Sequence, residues 1–161
     1  MFGLDLHPAV VHFPVALAVV GALMELVYMI LQRSWVRWFG PVLLTLALAG
    51  SGVAYFSGNA VHDKAANQGV PHDAIEKHQD SCLWALGAVG LATLLSWAVR
   101  TSGRGLWLST LVAIAAAGLT VYTGYLGGEL VYRYGAGRVK APARAAPNTH
   151  AVPRTTKRGA R

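Results

Sequence analysis

Hydrophobic residues form four long stretches separated by short polar segments. The stretches cover residues 10–31, 41–61, 81–99 and 106–132. A helix needs about 20 mostly apolar residues to cross the hydrocarbon of a bilayer, so each stretch predicts one span. The first stretch follows Asp5 rather than a cationic segment, so it is interpreted as a span and not as a signal peptide. The predicted fold is all-α, a transmembrane four-helix bundle.

Composition supports one membrane domain over residues 1–137, followed by a basic tail over residues 138–161. Of the 161 residues, 54% are hydrophobic and 13% are charged, which is too apolar for an ordinary soluble domain. The tail contains no acid, and its bases alternate with Ala, Pro and Thr, a composition that cannot bury a core. We therefore expect a disordered tail that lies on anionic lipid rather than on nucleic acid.

The two membrane faces differ in charge and in aromatic residues. One face, side B, holds the short loops 32–39 and 100–105, which contain Arg but no acid and lie beside Trp residues at the span ends. The other face, side A, holds the N-terminus, the loop 59–77 and the tail. The positive-inside rule places side B in the cytoplasm, whereas the basic tail argues for side A. We give the short loops more weight, and expect both termini and the histidine-rich face on the outer side of the membrane.

The two halves of the chain resemble each other, which predicts two tandem helical hairpins related by a pseudo-twofold axis along the membrane normal. Gly58 follows His12 by 46 residues, and Gly124 follows His78 by the same number. The text around the two glycines is also similar, with Gly-Val-Ala-Tyr-Phe-Ser-Gly in one half and Gly-Leu-Thr-Val-Tyr-Thr-Gly in the other. His12 and His78 are therefore expected to be counterparts at equal depth.

Histidines supply the main candidate chemistry, since five of the six lie at or near side A. Ionisable residues at membrane depth usually hold a ligand, an ion or a proton path. His12 and His78 belong to spans that are diagonal in an up-down bundle, so their imidazoles could be the two axial ligands of a b-type haem. Gly58 and Gly124 would leave flat room beside a porphyrin, and Glu129 or His7 could orient a ligand.

Other interpretations of the same residues stay open. His7, His12, His62, His72 and His78 could instead hold a non-haem transition metal. Interfacial imidazoles also cap helices or reach headgroups without binding a cofactor, and glycines also serve close helix packing.

The remaining polar residues say less than the histidines about which cofactor the protein could bind. Glu25 lies inside the first span, and Arg33 or a tyrosine is its expected partner, while Glu129 could pair with Arg133. The single cysteine, Cys82, excludes a disulfide within the chain and a two-cysteine haem attachment.

Several motifs resemble the bacterial membrane family known as domain of unknown function 2231. They are the opening His7-Pro-Ala-Val-Val-His-Phe-Pro14, Ser57-Gly58, His78 and the closing Gly127-Gly-Glu-Leu-Val-Tyr-Arg-Tyr-Gly135. The resemblance covers residues 6–139 and implies a four-helix membrane protein, in a family whose members are sometimes joined to c-type cytochrome modules and have no assigned activity. This chain departs from the pattern at Ser57 and Tyr134, where threonine and histidine are usual, and by its extra His62 and His72.

The functional hypothesis is a membrane electron-transfer subunit that resembles a b-type cytochrome and exchanges electrons with a c-type cytochrome or a quinone. The alternatives are a non-haem metal-binding protein and a structural subunit without a cofactor, in a homo- or hetero-oligomer. No nucleophile elbow, phosphate loop or catalytic carboxylate pair occurs in the sequence, which argues against a hydrolase or a kinase.

Overall fold

The computed structural model describes residues 7–137, and these residues are helical with short connections. A one-turn helix α1 (His7–Val10) leads into α2 (His12–Leu31), and three long helices follow: α3 (Phe39–Asn67), α4 (His72–Ser102) and α5 (Leu106–Tyr132). The helices α2 to α5 are each long and apolar enough to cross a membrane. The predicted all-α, four-span architecture is confirmed. The expected disordered tail, residues 138–161, lies outside the described residues.

The four long helices form a closed bundle in which each helix packs against two neighbours. The packed pairs are α2 with α3, α3 with α4, α4 with α5, and α5 with α2. Helices α2 and α4 are therefore diagonal to each other. Side chains that point inward from these two helices approach each other across the centre of the bundle.

Small residues form the centre of the bundle, and large apolar residues cover its outside. The buried cluster contains Ala18, Ala22, Leu44, Ala47, Val89, Ala92, Ala113, Ala116 and Ala117. Phe56, Trp84 and Leu94 are among the large side chains exposed on the outer surface. This distribution is typical of membrane bundles, because lipid solvates large apolar side chains and small residues let the helix backbones approach closely.

Two helices extend past the apolar stretches at side A. The expected loop 59–77 is mostly helical: α3 continues to Asn67, α4 begins at His72, and only residues 68–71 connect them. Hydropathy marks where the bilayer ends, whereas the helices continue because Ala at the end of α3, and Ala, Glu, Lys and Gln at the start of α4, favour helix beyond that point. Pro71 precedes α4 and Asp73 lies in its first turn, and both residues favour a helix start.

The start of the first long helix contains one irregular position. Val11 lies between α1 and α2, but its backbone angles are helical (φ −62°, ψ −24°) and its N–H donates to the carbonyl of His7 at 3.2 Å. Pro14 has no N–H to donate to the carbonyl of Val10, so one regular helical hydrogen bond is missing there. His7 and His12 therefore lie along one nearly continuous helical path.

Candidate cofactor site

Two imidazoles from diagonal positions line the same space at the side A end of the bundle. His7 is the first residue of α1, which leads into α2, and His78 lies near the start of α4. Both side chains line the same two cavities between the helices. The structure therefore brings together one histidine from each helical hairpin.

Each imidazole packs against the backbone of a glycine on another helix. A Cβ atom added to Gly58 would lie 3.0 Å from Cε1 of His7, and one added to Gly127 would lie 3.1 Å from Cε1 of His78. The two hairpins thus present the same contact, a histidine ring against a glycine on the second helix of that hairpin. Only glycine leaves room for a ring at this distance without a shift of the neighbouring atoms.

These contacts correct the expected counterparts in the two halves. His7, and not His12, occupies the position equivalent to His78, and Gly127 rather than Gly124 is the equivalent of Gly58. His12 is exposed at the margin of the larger cavity. A Cβ atom on Gly124 would touch only Val15, at 3.8 Å.

Hydrogen bonds indicate the protonation of His7. Its Nδ1 lies 2.9 Å from Oγ of Ser57, and that hydroxyl donates to the carbonyl of Ala54 at 3.0 Å. With the hydroxyl proton directed to the carbonyl, Nδ1–H donates to Oγ and Nε2 keeps its lone pair. Burial lowers the pKa of His7 below its usual 6.5, and the backbone of Ala54 partly opposes this effect. The side chain is therefore neutral at pH 7, which is the form that binds a metal ion.

His78 has an unsatisfied ring nitrogen. Its Nε2 lies 3.5 Å from Sγ of Cys82, one helical turn further along α4. Its Nδ1 is buried and makes no well-formed hydrogen bond within residues 7–137, although the backbone carbonyl of Thr123 lies near the ring. A buried polar atom without a partner is costly, so such an atom in a folded protein calls for an explanation, such as a bound ligand.

The two imidazoles stand between an outer and an inner cavity. The outer cavity has a volume of about 160 Å³ and extends to His62 and Gln79. The inner cavity has a volume of about 430 Å³, is lined by all four long helices, and reaches Val15, Leu86 and Thr120. Ligand pockets commonly measure about 300–1,000 Å³ and have mostly apolar walls with a few polar groups, a description that fits the inner cavity.

Glu129 does not reach the histidines. It pairs with Arg133 at 3.4 Å, and its Oε1 accepts a hydrogen bond from Tyr125 at 3.4 Å. The surface ion pair, one of the two roles expected for Glu129, is confirmed. His62 and His72 lie near each other on the helix extensions at side A, with ring centroids 6.0 Å apart.

A second polar cluster lies at side B, and the sequence predicted its acid but not its base. Glu25, which is 0% exposed, pairs with Arg100 at 2.9 Å and not with Arg33. Ser96 donates to Oε1 of Glu25 at 2.5 Å, and Ser109 donates to Oε2 at 3.4 Å. Sequence reasoning identified the buried acid but missed its partners, although the i, i+4 spacing of Ser96 and Arg100 on an apolar helix was an available signal.

Backbone and aromatic groups hold Arg100 in this cluster. Its Nε donates to the carbonyl of Arg37 at 2.7 Å, and Arg37 in turn donates to the carbonyl of Arg100 at 2.5 Å. The guanidinium carbon lies 4.1 Å from the ring centroid of Tyr28. A Cβ atom on Gly40 would overlap Oε1 of Glu25, so α3 approaches the ion pair more closely than any side chain would allow. The cluster connects α2 with α4 across the bundle.

The fold and the site define a class, an integral membrane four-helix bundle with a histidine pair near one membrane face. The chain belongs to the family described as Predicted membrane protein (DUF2231), whose family model matches residues 3–140. The suspected family is thus confirmed, and it assigns no activity. No curated protein and no solved structure matches the chain.

Proposed function

We propose that this protein is a membrane electron-transfer subunit that resembles a b-type cytochrome and binds haem through His7 and His78. The observation that carries the proposal is that these two imidazoles, one from each hairpin, line the same mostly apolar cavity between the helices. Two neutral imidazoles suffice to hold a b-type haem, and no cysteine is needed. When bound, the haem would supply reversible one-electron chemistry.

The residues present fit such a group. Nε2 of His7 keeps a lone pair, and Nε2 of His78, whose contact with Sγ of Cys82 is a weak one at 3.5 Å, would be the second ligand. Gly58 and Gly127 fix the two rings by direct backbone contact, which limits their rotation. The walls of the inner cavity are mostly apolar, and the hydroxyl of Ser57 accepts from His7 and orients its ring, as the partners of metal-binding histidines commonly do.

At the cavity lined by His7 and His78, the donor set favours haem over a non-haem ion. A zinc ion held by protein alone needs three or four ligands, whereas a haem iron needs only two. Across the described range 7–137, no three His, Cys, Asp or Glu side chains come together in a way that could hold a metal ion. His12, the expected partner of His78, is assigned to the cavity margin in this proposal, and Gly124 to the cavity wall.

Visible spectroscopy of the detergent-purified protein tests this proposal. The protein is produced with a supplied haem precursor, so that haem is not limiting, and it is expected to show a sharp Soret band and split α/β bands on reduction. His7→Ala and His78→Ala should each abolish these bands. His12→Ala is the matched control and should retain them.

Two results would overturn the assignment. A colourless wild-type protein, or spectra that stay unchanged in both His7→Ala and His78→Ala, would remove the haem proposal. Loss of the bands in His12→Ala with retention in His7→Ala would move the second ligand to His12.

The proposed partners follow from a haem at side A, and the proposed orientation follows from the charge of the side B loops. A c-type cytochrome or a quinone would exchange electrons with the haem at side A. The loops at side B contain Arg33, Arg37, Arg100 and Arg104 without an acid, so we place side B in the cytoplasm and the histidines on the outer side of a bacterial inner membrane.

A further inference from the structure

The α3–α4 hairpin carries a second pair of histidines, apart from the pair in the bundle. His62 lies near the end of α3 and His72 is the first residue of α4, and their ring centroids are 6.0 Å apart in a T-shaped arrangement. The haem proposal does not use either residue.

Each ring already has a carboxylate on one of its nitrogens. Nδ1 of His62 lies 3.2 Å from Oδ1 of Asp63, and Nε2 of His72 lies 3.2 Å from Oε1 of Glu76. A carboxylate on one nitrogen fixes that nitrogen as the N–H donor and leaves the lone pair on the other. The nitrogens with a lone pair free to bind a metal are therefore Nε2 of His62 and Nδ1 of His72. A carboxylate that orients a ligand histidine in this way is common at metal sites.

The spacing of the rings is close to what one shared ion requires. A metal bound about 2.0–2.1 Å from a ring nitrogen stands about 3.2 Å from that ring's centroid, so two ligand rings in tetrahedral coordination have centroids about 5.2 Å apart. From the observed 6.0 Å, the two rings must therefore close by about 0.8 Å to share an ion. The His72 side chain is 69% exposed, against 27% for His62, so it has room to turn toward an ion held on His62.

The frame that carries the two histidines is held in place from both sides. The connection over residues 68–71 is short, and it turns at Gly69, whose φ is +86°. Val70 and Ile75 are buried beneath it. On the bundle side, Gln79 donates to Asn59 across the two helices at 2.9 Å. A prearranged frame lowers the entropic cost of bringing two ligands to one ion.

We propose that His62 and His72 form a surface site for a divalent transition-metal ion of the Zn²⁺ type, with water completing the coordination. Imidazole suits Zn²⁺, Cu²⁺ and Ni²⁺, whereas Mg²⁺ prefers oxygen ligands. Asp63 and Glu76 are positioning residues in this site, and their charge also offsets that of the ion. His62 lines the outer cavity beside His7 and His78, so the ion would sit at the mouth of that cavity.

Isothermal titration of the tag-free, detergent-solubilised protein with Zn²⁺ tests the site. We expect one saturable site that Mg²⁺ does not fill. His62→Ala and His72→Ala should each weaken Zn²⁺ binding at least about 10-fold. Glu76→Gln should weaken it by about 10-fold, since loss of such a carboxylate typically costs about 10–100-fold in metal affinity. His12→Ala, another exposed histidine, is the control and should bind Zn²⁺ like the wild type.

The site is overturned if Zn²⁺ binding is absent or is unchanged in both His62→Ala and His72→Ala. Binding that disappears only in His78→Ala would also overturn it, because the ion would then lie inside the bundle. Helical circular dichroism of each variant shows that it is folded. The Soret band of the haem test is read separately, so either proposal can fail without the other.

Discussion

The ion pair at side B offers a sharp test of how this bundle is held together. Replacing Glu25 by Gln keeps the shape of the side chain and removes its charge. Arg100 is 3% exposed and would then keep its charge without an acid, with neutral groups as its close partners: the amide oxygen at position 25, the Arg37 carbonyl and the Tyr28 ring. Its Nη1 is already buried without a hydrogen bond within residues 7–137. Breaking a buried pair in this way costs about 3–5 kcal/mol of the free energy of unfolding.

A matched control exists in the same chain. Glu129 and Arg133 also form an ion pair, but the Arg133 side chain is 68% exposed. Exposed pairs contribute about 0–1 kcal/mol, so Glu129→Gln should lower the free energy of unfolding by less than about 1 kcal/mol. The two substitutions are chemically identical and differ only in the environment of the charge.

Unfolding of the purified protein in mixed micelles, followed by circular dichroism, gives the free energies for both variants. A double variant, Glu25→Gln with Arg100→Met, completes the cycle. It should lose less than the sum of the two single variants, because no unpaired charge stays buried. Equal costs for Glu25→Gln and Glu129→Gln, or strict additivity in the cycle, would refute the reasoning.

Two further tests use glycine positions and pH. Gly40→Ala should destabilise the protein, because the added Cβ would overlap the Glu25 carboxylate. Gly118→Ala should raise the free energy of unfolding by about 0.5–1 kcal/mol, because no atom lies within 4 Å of the added Cβ. Thermal melts that rank the two variants the other way would contradict this reasoning. Burial lowers the pKa of His7, so below pH 6.5 the unfolded state binds more protons than the folded state. The free energy of unfolding should therefore be highest above pH 6.5 and fall as the pH drops below that value. Melts between pH 7.5 and pH 5 check this, and His7→Gln should show a smaller decline; an equal decline in the variant would show that His7 is not its source.

The membrane architecture could be predicted from the amino-acid sequence alone. Bilayer thickness sets the length of a spanning helix, so four long apolar stretches were enough to predict four helices and an up-down bundle. The family was also identifiable from its motifs. The helix ends at side A could not be predicted in the same way, because hydropathy reports the bilayer boundary while α3 and α4 continue past it.

Which side chains contact each other became known only from the packing of the helices. His7 and His12 are five residues apart, which puts them about 140° apart around an ideal helix, and spacing alone cannot say which direction faces the bundle. The packing of α1 against Gly58 places His7 inside and leaves His12 at the cavity margin. The sequence likewise showed that Glu25 needs a partner, but Arg100 lies on the diagonal helix, 75 residues away. Such pairings depend on the rotation of each helix about its axis, which is fixed by packing against the other helices.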